Sequence, residues 1–165
     1  MIPVADTDIL SMFGKVKSIS TLKQLFNELY VPTAVYEELL RAKDVGLSFL
    51  DYVLDDIEVI NLSKEEHHEY ISLLKNEKYL HRGEFQAIII CKHRSGVLLT
   101  NDKVAKNFCT KNGISCFDIK GILRAFLLKG ILSKDELRQL VAQIEETDNT
   151  TIKKFEEIFE TKDIE

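Results

Sequence analysis

The chain opens on Ile2-Pro3-Val4-Ala5-Asp6-Thr7-Asp8-Ile9-Leu10, an apolar stretch with two acids near its end. Strand-like apolar runs rarely carry carboxylates. Pro3 suits the first residue of a strand, where its missing N–H costs nothing. A carboxylate at the far end of such a strand faces the crevice in which open α/β sheets bind ligands. Asp6 is therefore the first candidate for chemistry. The competing reading is that Asp6 or Asp8 caps the following helix by accepting backbone N–H bonds. Deciding between them requires asking whether other acids reach the same edge.

Outward from that stretch, strands and helices alternate. Thr21-Leu-Lys-Gln24 has the capping-box pattern and predicts a helix with Leu22, Leu25, Phe26 and Leu29 on one stripe. Tyr30-Val31-Pro32 reads as a second strand. Thr33 is the expected cap of a helix with Val35, Leu39 and Leu40 apolar and Glu37 and Glu38 in its early turns. Gly46 breaks the pattern, a short helix is predicted over 47–54, and 57–62 alternates as a peripheral strand. Ser63-Lys-Glu-Glu66 opens a helix expected to bury Tyr70, Leu73 and Leu74. Residues 85–91 are apolar all round and predict a buried helix, followed by a strand at 97–100 and a helix over 103–111 closed by Asn112-Gly113. A fifth strand at 114–117, a helix over 118–128 and another from Ser133 through Ile144 complete the body. Beyond Glu145 the chain turns acidic and polar, yet Ile152, Phe155 and Phe159 keep helical spacing. That spacing predicts a short amphipathic helix docked on the body or on a partner.

Strands separated by single or paired helices predict an α/β fold, a three-layer α/β/α sandwich on a central, mainly parallel sheet of about five strands. The expected division is one domain over 1–147 and an acidic tail over 148–165. At 165 residues the chain suits one sizeable core. No apolar run approaches the ~20 residues that span a bilayer, and the first residues lack the basic and apolar regions of a signal peptide, so a cytoplasmic location without membrane contact is expected. Cys91, Cys109 and Cys116 are odd in number and lack CxxC spacing, which predicts buried free thiols. His67 and His68 fall on a charged helix face and are expected to be exposed. A net charge of −5 argues against gripping nucleic acid by a large basic face. Any such contact must be local or use metal.

The predicted edge gathers more acids. Asp6 ends the first strand, Glu38 lies early in the helix after the second, Glu84 opens the helix before the fourth, and Asp102 follows the fourth directly. Carboxylates converging there repel one another unless a cation neutralises them, and an oxygen-rich acidic cluster suits Mg²⁺ or Mn²⁺. Such an ion activates water toward a phosphodiester, which is metal-assisted nuclease chemistry. Each acid also has a structural reading: Glu84 and Asp102 gain from a helix dipole, and Thr100, Asn101 or Asp102 can be a plain N-cap. Spacing alone leaves Glu37 and Glu38 open. Thr7, Arg82, Asn101 and Lys103, with His81, are candidate substrate contacts beside the acids.

Four blocks together resemble the PIN-domain family, which includes VapC-type ribonuclease toxins and RNA-processing nucleases. They are Val-Ala-Asp6-Thr-Asp-Ile-Leu, Val31-Pro-Thr-Ala-Val-Tyr-Glu-Glu38-Leu, Gly83-Glu84-Phe-Gln-Ala-Ile and Leu98-Leu-Thr-Asn-Asp102-Lys-Val-Ala-Lys. The similarity covers residues 2 to about 130, and its order and spacing are more specific than any one block. It implies that Asp6, Glu38, Glu84 and Asp102 bind metal and act in catalysis, with Glu38 preferred over Glu37 because the family's acid precedes a leucine. Asp8 stands where the family often has Asn or Ser, and is a candidate additional ligand. The resemblance further implies an RNA substrate, a Mg²⁺ or Mn²⁺ cofactor, a homodimer and, for a toxin, an antitoxin partner.

Three functions compete. The first is a metal-dependent endoribonuclease, either a toxin or an RNA-processing enzyme. The second is a catalytically inactive PIN-like module that binds RNA or protein; the presence of all four acids favours the first. The third takes Asp6-Thr-Asp8 as the nucleophile and acid of a haloacid-dehalogenase-type phosphatase. Against it, Ile9-Leu10 replaces the usual small pair and no later Asp-Asp or suitably placed Lys follows.

Overall fold

A computed structural model describes residues 1–76 and 78–160. In chain order it comprises β1 (Pro3–Ala5), α1 (Thr7–Lys15), α2 (Ile19–Phe26), β2 (Tyr30–Pro32), α3 (Thr33–Asp44), α4 (Leu50–Asp55), β3 (Glu58–Ile60) and α5 (Lys64–Asn76). Then follow α6 (Arg82–His93), β4 (Val97–Leu99), α7 (Lys103–Lys111), β5 (Ser115–Phe117), α8 (Ile119–Leu128), α9 (Lys134–Asp148) and a 3-10 helix (Phe155–Phe159). The five strands form one parallel sheet in the order β3-β2-β1-β4-β5. The α/β sandwich expected from the alternation is the fold observed.

That strand order explains the layers. The chain winds outward from β1 through β2 to β3, then returns to the other side of β1 and winds through β4 to β5. Right-handed crossovers in opposite directions put their helices on opposite faces. Successive residues of the central strands accordingly serve different cores: Val4 and Leu98 pack with Ile88, Ile90 and Cys91, whereas Ala5, Val97 and Leu99 pack with helices of the other face. The second of those cores is the larger. Within it Phe13 of α1 meets Phe126 of α8 edge to face, with ring centroids 6.1 Å apart. Between β1 and β4 the winding reverses, and a reversal of this kind opens a crevice at the carboxyl ends of the strands.

Several local expectations are corrected. Only Pro3–Ala5 of the opening stretch is strand, because Asp6 accepts a hydrogen bond from the Ile9 N–H at 3.0 Å and starts a helix. Ile9, Leu10 and Phe13, at helical spacing, are then buried in the core. The next helix begins at Ile19, so Thr21 lies inside it and is not its cap. Thr33 does not cap α3 either: its hydroxyl donates to Asn61, and the Gln86 side chain accepts from the Ala34 N–H instead. On α5 the buried stripe is Glu66, Tyr70 and the half-buried Leu73, while Leu74 faces out. Glu66 is accommodated because it caps the Ser63 N–H and pairs with Arg94 from α6. Cys91 and Cys109 are buried free thiols, with burial pushing Cys91 up to about 12, and Cys116 is partly covered. His67 and His68 are exposed.

The segment after α9 packs on the body. Ile152 and Ile158 are buried in the larger core, with Phe155 and Phe159 against it. The short helix expected here is a 3-10 helix over residues 155–159, and the last part of the expected tail, 161–165, lies outside the described residues.

Gly96 controls how closely β4 enters beside β1. A Cβ there would sit 2.8 Å from the Ile2 carbonyl oxygen and 3.1 Å from the Cys91 Cα, both backbone atoms that cannot swing aside. The same Ile2 carbonyl accepts from the Val97 N–H at 2.8 Å. Gly96→Ala is therefore expected to cost about 1–3 kcal/mol, the usual range for overpacking, despite the smallness of the added methyl. Urea denaturation of the two proteins reads this directly.

Candidate active site

The crevice between β1 and β4 holds a pocket of about 360 Å³. Asp6, Thr7 and Asp8 enter it from the end of β1 and the first turn of α1. Glu38 comes from the second turn of α3, Glu84 from the first turn of α6, and Asn101 and Asp102 from the turn after β4. Five carboxylates from four separate chain segments thus line one hollow. Each strand ends where its following helix begins, and such junctions all fall on the same edge of a parallel sheet.

The structural and chemical readings of these acids turn out to be compatible. Asp6 caps α1, and one oxygen of Asp102 accepts from the Ala105 N–H at 2.7 Å to cap α7. Glu84 reaches back to the His81 N–H at 2.8 Å. In each case the backbone N–H bonds to one carboxylate oxygen, which fixes a side chain that lines the pocket. The less buried pair are held by neutral partners: Thr7 Oγ1 donates to Glu38 at 2.8 Å, and Asn101 Nδ2 donates to Asp8 at 3.0 Å. The other end of the Asn101 amide accepts from the Ile119 N–H, so one side chain links Asp8 to the start of α8.

Charge accumulates here without cations to offset it. Burial, with Asp8 and Glu84 adding negative potential, pushes the Asp6 carboxyl up to about 7, although the Ile9 N–H and the Thr100 hydroxyl favour its ionised form. Burial also raises Glu84, reinforced by Asp102 and Glu38 and opposed by the His81 N–H. Among the described residues, no three acid, His or Cys side chains already meet as a closed metal cage. The donor set nonetheless fits a hard divalent ion, being carboxylates with amide and hydroxyl oxygens beside them. Mg²⁺ in particular takes one or two carboxylates directly and keeps several waters, so it does not require a closed cage.

Other candidates separate by position. Glu37 and Glu38 are both exposed and both line a neighbouring hollow with Arg41 and Arg82, but only Glu38 also lines the acid pocket. Thr7, Asn101 and His81 line the acid pocket itself. Arg82 and Lys103 lie in hollows on opposite sides of it. Two supporting groups escaped the sequence reading. Thr100, fully buried, has its hydroxyl at the Asp102 N–H and beside Asp6. Gln86 joins α6 to the start of α3. It is the one strongly polar residue inside the apolar run 85–91, and that isolation was the signal available.

Parallel order, a switch-point crevice and acids at the strand ends together define an α/β domain with an acidic pocket at its sheet edge. A family model described as a PIN domain matches residues 2–155, and the chain belongs to that family. PIN domains are in general nucleases, and PIN nucleases typically use divalent metals. No curated protein matches the chain. No helix among the described residues is long and apolar enough to cross a membrane.

The raised Asp6 makes a signed prediction for the metal-free protein. A carboxyl whose pKa is higher folded than unfolded stabilises the fold below its unfolded value and loses that contribution as pH rises through the folded value. Between pH 4 and 7 the protein should therefore lose roughly 2–4 kcal/mol relative to Asp6→Asn, which has no proton to release. Denaturant melts of both proteins across that window give the difference.

Proposed function

We propose that this PIN domain is a metal-dependent endoribonuclease whose active site is built by Asp6, Glu38, Glu84 and Asp102, with Asp8 as a fifth acid. The observation that carries the reading is the convergence of these carboxylates on one pocket at the sheet's switch point, with the carboxyl of the deepest, Asp6, pushed up to about 7 chiefly by burial. Such a cluster is costly until a cation occupies it. Asp6, Glu38, Glu84 and Asp102 would hold Mg²⁺ or Mn²⁺. The bound ion would supply Lewis-acid stabilisation to a phosphodiester undergoing hydrolysis. An entering cation would favour the ionised form of Asp6, whose carboxyl is pushed up to about 7, so loading would be favoured by rising pH. Thr7 and Asn101 keep Glu38 and Asp8 aimed at the pocket, and Arg82 and Lys103 contact substrate phosphates on either side.

In this reading residues 1–147 are the nuclease unit and 148–165 an acidic tail, of which Ile152 and Ile158 pack on that unit. The protein acts as a homodimer, and the RNA chemistry suits the toxin of a toxin–antitoxin pair. Exposed Val45 and Tyr52, 81% and 60% accessible, offer apolar surface for a second copy. Light scattering should return twice the mass of one chain; a monomer at micromolar concentration removes the dimer from the proposal.

The site is tested by cleavage of mixed labelled RNAs in Mg²⁺ or Mn²⁺, with chelator controls. Wild type should cut only with metal, and Asp102→Asn should be slowed about 100-fold or more, since a metal-site charge is worth several kcal/mol at 1.36 kcal/mol per tenfold. If neither protein cuts and metal leaves the wild-type melting temperature unmoved, the chain is an inactive PIN-like binding module.

A further inference from the structure

A second hollow, of about 710 Å³, adjoins the acid pocket and shares Asp8 and Asn101 with it. Its character is opposite. Lys15, Lys103, Lys106, Lys120 and Lys153 line it against three carboxylates, in a chain whose net charge is −5. Two of the five lysines are neutralised: Lys15 pairs with Asp148 at 2.5 Å and Lys106 with Asp118 at 2.8 Å. Lys103, Lys120 and Lys153 make no ion pair among the described residues. The hollow therefore carries a surplus of positive charge directly beside the cluster of acids.

Its far wall is built by the segment after α9. Ile152 is buried at 8% exposure and donates its N–H to Glu145 at 2.6 Å, which fixes the neighbouring Lys153 at the rim. The Lys15–Asp148 pair ties the end of α9 to α1 at the same place. The apolar floor comes from Met12, Ile119 and Ile152, and no aromatic residue lines the hollow among the described residues. A surface with surplus cations and no stacking platform recognises a phosphate backbone and not particular bases. An acid pocket repels phosphates, so a polyanion brought to it has to be held by cations close by.

We infer that this hollow is the track on which a single-stranded RNA segment leaves the acid pocket, with Lys103, Lys120 and Lys153 each holding a phosphate and the C-terminal segment forming one wall. The inference rests on the nuclease reading for its direction and assigns that site its neighbouring phosphate subsites. An unpaired strand is favoured over a duplex because Asp6 is recessed at 8% exposure, and a flexible backbone can dip to it where an A-form helix presents a stiff surface. Selection of bases falls to contacts elsewhere, so this side tolerates any sequence.

The test compares wild type, the combined variant Lys103→Gln, Lys120→Gln, Lys153→Gln, and a charge-matched control Lys64→Gln, Lys75→Gln, Lys111→Gln outside both hollows. Binding of a short labelled oligouridine is followed by anisotropy across a salt series in chelator. Cleavage of the same RNA is followed with Mn²⁺, and the Mn²⁺-induced melting shift is recorded for each protein. The groove variant should bind about tenfold or more weakly, with its log–log salt slope reduced by about 2, as expected for three lost contacts at about 0.7 each. Its melting shift should match wild type, and the control should bind as wild type does. Equal binding by the groove variant, equal weakening of the control, or no RNA binding by wild type overturns the track. So does displacement by polyglutamate with no binding of oligouridine, which assigns the hollow to an acidic protein segment. Wild type that cleaves while the groove variant keeps its KM refutes the track and leaves the nuclease reading standing. Lysine-dependent binding without metal-dependent cleavage does the reverse.

Discussion

Asp6 is held between two demands that oppose each other. It has to be buried at the end of the central strand to start α1, and burial is what an isolated carboxylate resists most. The Ile9 N–H and the Thr100 hydroxyl lower the cost, while Asp8 and Glu84 raise it. Around this one group, Glu84 and Asp102 are held by backbone N–H groups at helix starts, and Glu38 and Asp8 by the Thr7 hydroxyl and the Asn101 amide, none of which supplies a full positive charge. The pocket is thereby left electrostatically unsatisfied by its surroundings, and its donor set fits a small hard cation. Nearby lysines do not enter it: Lys15 and Lys106 are committed to Asp148 and Asp118, and Lys103, Lys120 and Lys153 line the adjoining hollow.

The supports of the site are shared among elements far apart in sequence. Gln86, on the helix that carries Glu84, caps the start of the helix that carries Glu38. Gly83 lets those two helices touch, since a Cβ there would fall 2.8 Å from Val35 Cγ2. Asn101, next to Asp102, reaches both Asp8 and the beginning of α8. Displacing any one helix therefore moves at least two carboxylates relative to the others.

Much of this was legible in the sequence because parallel α/β folds have strong local signals. Strand and helix alternate with distinct apolar periods, and a parallel sheet dictates that every strand-to-helix junction lies on one edge, which is why Asp6, Glu38 and Asp102 could be assigned to the same rim; Glu84 joins them because its helix runs back into β4 and so begins at that edge. Local caps were less legible. Ser63 and Ser133 cap as their motifs indicate, with Glu66 and Glu136 reaching back. Thr21 and Thr33 do not, since an adjacent helix start and a side chain from α6 take precedence over the pattern. The lysine hollow was invisible because its residues come from α1, α7, the start of α8 and the segment beyond α9, and in sequence they are scattered single charges. Net charge concealed it further by averaging an acidic pocket with a basic one.

The strand order carries a consequence for how the molecule comes into being. β1 is the central strand, yet its pairing with β4 joins Val4 to Leu98 across most of the chain. Strands of three residues gain little from pairing before their neighbours are in place, and contacts of such long sequence separation require loop closure first. A chain emerging from synthesis can dock β2 on β1 early, but the β1–β4 crevice has no second wall until residues near 100 are available. The acids are thus kept apart, on separate partly folded segments, until β4 and the turn after it have been made. A fold of this order withholds its crevice until the segment around Asp102 is in place.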